Sequence, residues 1–112
     1  MLGSLAAAPA ADVSGKWTAE TLLGSVGGEL PVPTTFTFKV EGNKLTGTVS
    51  SPSGKFEIQE GKADGGTILF SIVVGGAKIL YDGLITEKGI DFIARFEGRD
   101  RSNHFLARRV PT

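Results

Sequence analysis

The sequence has no cysteine and one histidine, His104. The first absence excludes disulfide frameworks, thiolate metal sites and thiol catalysis. The second excludes histidine-rich metal sites and leaves little for a Ser-His-Asp triad. An excess of charge of either sign is also missing, because twelve Lys and Arg balance twelve Asp and Glu. A nucleic-acid partner would want a basic excess, and so would docking on an anionic membrane. The run LLGSVGG at 22–28 is followed by no Lys-Ser/Thr pair and opens no helix, so it is not a phosphate loop. No segment carries a helical period, and nothing calls for a cofactor.

What the chain has in excess is glycine: sixteen in 112 residues, about twice ordinary usage. Without a collagen period or a low-complexity tract, that much glycine signals turns. The 112 residues fit one domain, and 40% apolar with 21% charged residues is ordinary for a folded chain. Residues 1–11, MLGSLAAAPAA, stand apart, being small, apolar and uncharged. They read as the remnant of a secretory signal, with a small-residue site around Ala8-Pro9-Ala10, or as a disordered arm. The stretch is too short to span a bilayer. The expectation is a single domain over 12–112 on an exported protein, periplasmic or extracellular and of bacterial type.

From Asp12 onward, apolar and polar residues alternate between glycine-marked turns. Phe36, Phe38 and Val40 alternate with Thr35, Thr37 and Lys39, which is the period of a half-buried strand. Turns fall at 41–44, 51–54, 64–66, 75–76 and 87–89, and a longer polar loop at 98–103. With Gly15 to Leu22 as the first, eight strands are predicted, joined mostly by short connections that force sequential antiparallel pairing. Closure removes both edges of such a sheet, and about eight strands leave an interior that side chains nearly fill. The predicted fold is all-β, an eight-stranded antiparallel up-and-down β-barrel. Gly47, Gly61 and Gly83, inside strands, suit sharply coiled walls.

Gly15-Lys16-Trp17, opening an all-β meander, resembles the lipocalin and avidin group of calycin-type barrels. The run Lys44-Leu45-Thr46-Gly47-Thr48-Val49 resembles the third-strand segment of avidins. The sequence also resembles small exported bacterial β-domains of unknown function that share GKW and LTGTV signatures. The resemblance implies that an Arg from the chain's end packs across the Trp at the closed end of the barrel. Arg109 is the candidate, since Phe105, Ala107 and Arg109 share a face, and Arg108 is the alternative. The resemblance does not extend to biotin, which avidins hold with several later tryptophans: this chain has only Trp17, and Val49 stands where streptavidin-like proteins have a tyrosine. Ser51 falls on a ligand-contacting serine of that family but suits a turn equally well.

An up-and-down meander puts alternate turns at alternate ends. The mouth, opposite Trp17, collects the longer connections at 23–34, 50–54 and 98–103. Candidate ligand contacts there are Ser51, Lys55, Arg99, Arg101 and His104. The cations suit a carboxylate, sulfate or sugar acid. Tyr81 is the inward residue with a hydroxyl that could orient a small ligand near the mouth. The predicted inward set runs from Trp17 and Phe36 through Phe70, Tyr81 and Phe92 to Phe105, enough ring volume to make the lumen a core.

The later strands should show Leu69, Val73, Leu80, Leu84, Ile93 and Leu106 on their outer face. A contiguous patch of that kind marks an interface, so a homodimer is expected. Asp82 and Asp91 flank a turn, but their phase points them outward beside Lys78 and Arg95, as surface ion pairs rather than an acid/base pair. No catalytic constellation emerges. The reading is a non-catalytic exported barrel that binds a small ligand or a carbohydrate-type partner. The alternatives are a protease-inhibitor-like barrel acting through residues 1–14 and a lipocalin-like carrier of an apolar molecule, which needs a cavity of about 300 Å³ or more.

Overall fold

The computed structural model describes residues 13–21, 32–52, 54–98 and 102–110. They form nine strand segments: β1 (Gly15–Thr21), β2 (Val32–Glu41), β3 (Lys44–Ser51), β4 (Gly54–Glu57), β5 (Gln59–Asp64), β6 (Thr67–Val74), β7 (Ala77–Thr86), β8 (Gly89–Phe96) and β9 (Ser102–Arg109). All pairings are antiparallel. β4 and β5 are two halves of one wall strand, broken at Ile58, so the barrel has the eight strands that the alternation predicts. It closes where β1 meets β9, through Trp17 opposite Arg109 and Thr18 opposite Arg108. The Val110 N–H adds a 2.9 Å bond to the Lys16 carbonyl.

Strand phase follows from side-chain alternation. In β2, Thr34, Phe36 and Phe38 are buried while their neighbours stay half-buried or exposed; β7 repeats the pattern, and β6 departs from it at Ser71, which is buried between Phe70 and Ile72. One core results, from Val13 and Trp17 at one end through Phe36, Phe70 and Phe92 to Ile72 and Ile79. Removing each such side chain from water contributes about 1.5–3 kcal/mol. Four small or short buried side chains escaped the pattern of large apolar residues: Val13, Ala63, Ala94 and Ala107.

Two places in the wall require special backbone. Gly47 has φ 144°, and a Cβ there would lie 1.8 Å from the Thr37 carbonyl oxygen, so β2 and β3 approach as only glycine allows. The other is a bulge between Gln59 and Lys62, where the register of β5 against β6 shifts. Glu60 occupies it with φ 55°, a left-handed conformation costing roughly 1–2 kcal/mol in a residue with a Cβ. The sequence predicts an uninterrupted strand here. Nor does a loop reach to residue 34, because β2 starts at Val32 and pairs back onto β1.

Candidate functional site

At the closed end, the Trp17 indole N–H donates to the Val13 carbonyl at 2.9 Å. The Arg109 guanidinium lies over the ring, 4.5 Å from its centre, and donates to the Ser14 carbonyl at 2.9 Å. The Ser14 hydroxyl accepts the Val40 N–H at 3.0 Å. Arg109 rather than Arg108 takes this place, because Arg109 shares the inner face of β9 with Phe105 and Ala107. Val13 is buried and Ser14 half-buried in this arrangement, so the arm expected over residues 1–14 loses its last two residues to the barrel. Residues 1–11 lie outside the described residues.

Aromatic rings occupy the middle of the lumen. Phe36 stacks on Phe92 at 5.3 Å and on Phe105 at 5.9 Å, and meets Phe70 and Tyr81 edge-on at 6.4 and 6.0 Å. Tyr81 stacks on Phe70 at 4.7 Å. Such separations are those of rings in mutual contact, so this level of the barrel is core. The sequence offers Tyr81 as a ligand contact near the mouth, and the structure corrects that. Tyr81 sits mid-strand, paired with Phe70 and Ala94, and is buried. Burial raises its phenol above the ordinary value by disfavouring the phenolate.

The mouth is read from the strand ends facing away from Trp17. Its inward positions are Thr21 on β1, Thr34 on β2, Ser51 on β3, Phe56 on β4, Val74 on β6 and Phe96 on β8. The two threonines are buried and hydrogen-bonded to each other through their hydroxyls at 2.8 Å. Phe56, Val74 and Phe96 are only partly buried above the core. Ser51 is half-buried at the β3–β4 turn, opposite Gly54, and Lys55 is exposed on β4. Arg99 and Arg101 lie outside the described residues.

His104 is not part of the mouth's interior. It is exposed on the outer wall and its Nε2 bonds to the Asp91 carboxylate, diagonally across β8 and β9. The expected grouping of Asp82 and Asp91 with Lys78 and Arg95 is corrected as well. Asp91 takes His104, while Lys78 takes Glu60 at 2.9 Å. The hydrogen bond and charge of Lys78 hold the Glu60 carboxyl below its usual range, and Glu60 in turn raises Lys78. The Ser71 hydroxyl, also within 3.3 Å of Glu60, is covered by this bulge. Among the described residues, no group of three His, Asp or Glu side chains is placed to hold a metal ion. Nor is any helix among them long and apolar enough to cross a membrane.

The outer face of the later strands carries Leu69 and Val73 on β6 and Leu80 and Leu84 on β7, between 40% and 52% exposed. Ile93 and Leu106, half-buried, continue the strip onto β8 and β9. Leu69, Leu80 and Ile93 help line a shallow depression of about 270 Å³, edged by Glu60, Asp82 and Arg95.

No protein-family model matches the chain, and no curated protein sequence matches it. Among solved structures it is similar to a Schistosoma mansoni fatty acid binding protein in complex with arachidonic acid. The TM-score is 0.56 at 13% sequence identity, over 91% of this chain and 98% of that one. At that identity the likeness is one of fold, the closed antiparallel barrel that the meander points to.

Proposed function

We propose that the chain is a non-catalytic, exported binding barrel that takes a compact ligand at its mouth rather than in its lumen. One contrast carries the reading. Rings in mutual contact occupy the middle of the barrel, whereas the inward side chains above them, Phe56, Val74 and Phe96, are only partly covered. Around the same rim, the half-buried Ser51 at the β3–β4 turn adds a hydroxyl. A shallow apolar cup with one hydroxylic side suits a ligand with a small apolar body and a single polar end. The barrel it resembles was solved with arachidonic acid, which supports an apolar ligand with a carboxylate. In this chain the ring block at Phe36, Phe70 and Tyr81 leaves a long acyl chain no room to pass.

Fluorescence titration with a dansylated short-chain fatty acid tests this, with arachidonic acid as competitor. Saturable binding of the short probe is expected, lost in Phe96→Asp and insensitive to arachidonic acid. Failure of the probe to saturate, or binding untouched by Phe96→Asp, overturns the proposal.

A further inference from the structure

The outer wall of β7 and β8 contains a square of four side chains with an unusual property. Asp82 stands opposite Ile93 and Leu80 opposite Arg95. Apolar residues therefore occupy one diagonal, Leu80 to Ile93, and opposite charges the other, Asp82 to Arg95. Val73 on β6, 43% exposed, and Leu106 on β9, half-buried, extend the apolar diagonal at its two ends. Elsewhere on this wall the charges are matched within the chain: Lys78 with Glu60, and His104 with Asp91. Among the described residues, Asp82 and Arg95 have no such partner.

We propose that this wall is a two-fold interface between two copies of the chain, its axis lying in the interface along the Leu80–Ile93 diagonal. A face-to-face pair related by a two-fold must match one patch to itself. Turning a second copy about the apolar diagonal sets Leu80 and Ile93 against their own counterparts. The same turn exchanges the two charged corners. Asp82 then faces the partner's Arg95, and Arg95 faces the partner's Asp82. The patch is thus complementary to itself in both shape class and charge. Burying Val73, Leu80, Ile93 and Leu106 along the axis supplies the drive, and the crossed ion pairs fix the register and exclude other alignments. A partner selected for hydrophobicity alone would leave Asp82 and Arg95 unmatched.

Sedimentation velocity on the full chain tests this with charge swaps at two exposed positions. The wild type is expected to be a dimer. Asp82→Arg brings two arginines together at each corner, and Arg95→Asp brings two aspartates together. Each alone should weaken association by about a hundredfold or more. Mixing the two variants in equal amounts should restore a dimer of one copy of each, and the double swap should restore a homodimer. Far-UV circular dichroism checks that every variant keeps its sheet. A wild type monomeric at the highest attainable concentration overturns the proposal. So do single swaps that leave the dimer intact, and so does a mixture of folded variants that fails to associate.

Discussion

Arg109 caps Trp17 from the far end of the chain, with its guanidinium 4.5 Å from the centre of the indole and a bond to the Ser14 carbonyl. The pair joins the first and last strands at the closing seam, where the ladder has only two pairs, Trp17–Arg109 and Thr18–Arg108. Arg109→Ala should therefore lower stability by about 1–2 kcal/mol, combining the cation–π contact and one charged hydrogen bond. Arg109→Lys should recover less than half, because an ammonium lacks the planar face that stacks on the ring. Urea unfolding followed by the fluorescence of the single tryptophan measures both.

A matched pair of glycines separates close approach from backbone freedom. Neither Gly61 nor Gly66 has a positive φ. A Cβ at Gly61 would lie 2.0 Å from the Leu45 carbonyl oxygen, whereas one at Gly66 meets nothing within 4 Å. Gly61→Ala should cost about 3 kcal/mol or more by forcing β3 and β5 apart. Gly66→Ala should change stability by about 0.5 kcal/mol or less. Thermal melts of the two variants beside the wild type decide it.

Deleting the central ring should turn core into pocket. Phe36 lies against Phe38, Phe70, Tyr81, Phe92 and Phe105. Phe36→Ala should cost about 3–5 kcal/mol. If the variant stays folded, benzene should raise its melting temperature and leave the wild type unchanged, since a dry apolar cavity of about 150 Å³ accepts such a guest. Equal shifts in both proteins would mean that the wild-type lumen is already open.

Tyr81 should make stability fall in alkaline solution. Its phenol is neutral in both folded and unfolded chains below pH 10, so its contribution is fully present there. Above that value the unfolded chain ionises first, because burial holds the folded phenol higher. Stability should then drop by up to about 1.4 kcal/mol per pH unit until the folded group titrates. The difference between wild type and Tyr81→Phe across pH 9 to 11.5, measured by urea unfolding, isolates this tyrosine from the lysines that titrate in the same range.

Much of this was legible in the chain. Strict alternation in Phe36-Thr37-Phe38 and in Ile68-Leu69-Phe70 sets which face is core, and the exposed leucines follow by subtraction. Glycine-marked turns set strand order. The bulge was hidden because Glu60, not glycine or asparagine, takes the left-handed conformation; Gly61 beside it was the available sign. The His104–Asp91 contact joins positions two residues out of register on neighbouring strands, which single-strand patterns do not reveal. Thr34 falls in the expected 23–34 connection, yet β2 already begins at Val32, and at Pro33 it pairs only with β1, leaving an unladdered side. Tyr81 was placed inward correctly and at the wrong height, since alternation gives the face of a residue and not its depth along the barrel.

The hydrogen bond from Val110 to Lys16 brings the last described residue beside the start of the first strand, next to the tryptophan. The same adjacency makes the barrel a candidate for circular permutation: a short splice from residue 110 to residue 13, with fresh ends cut between Gly75 and Gly76, would leave every strand pairing in place.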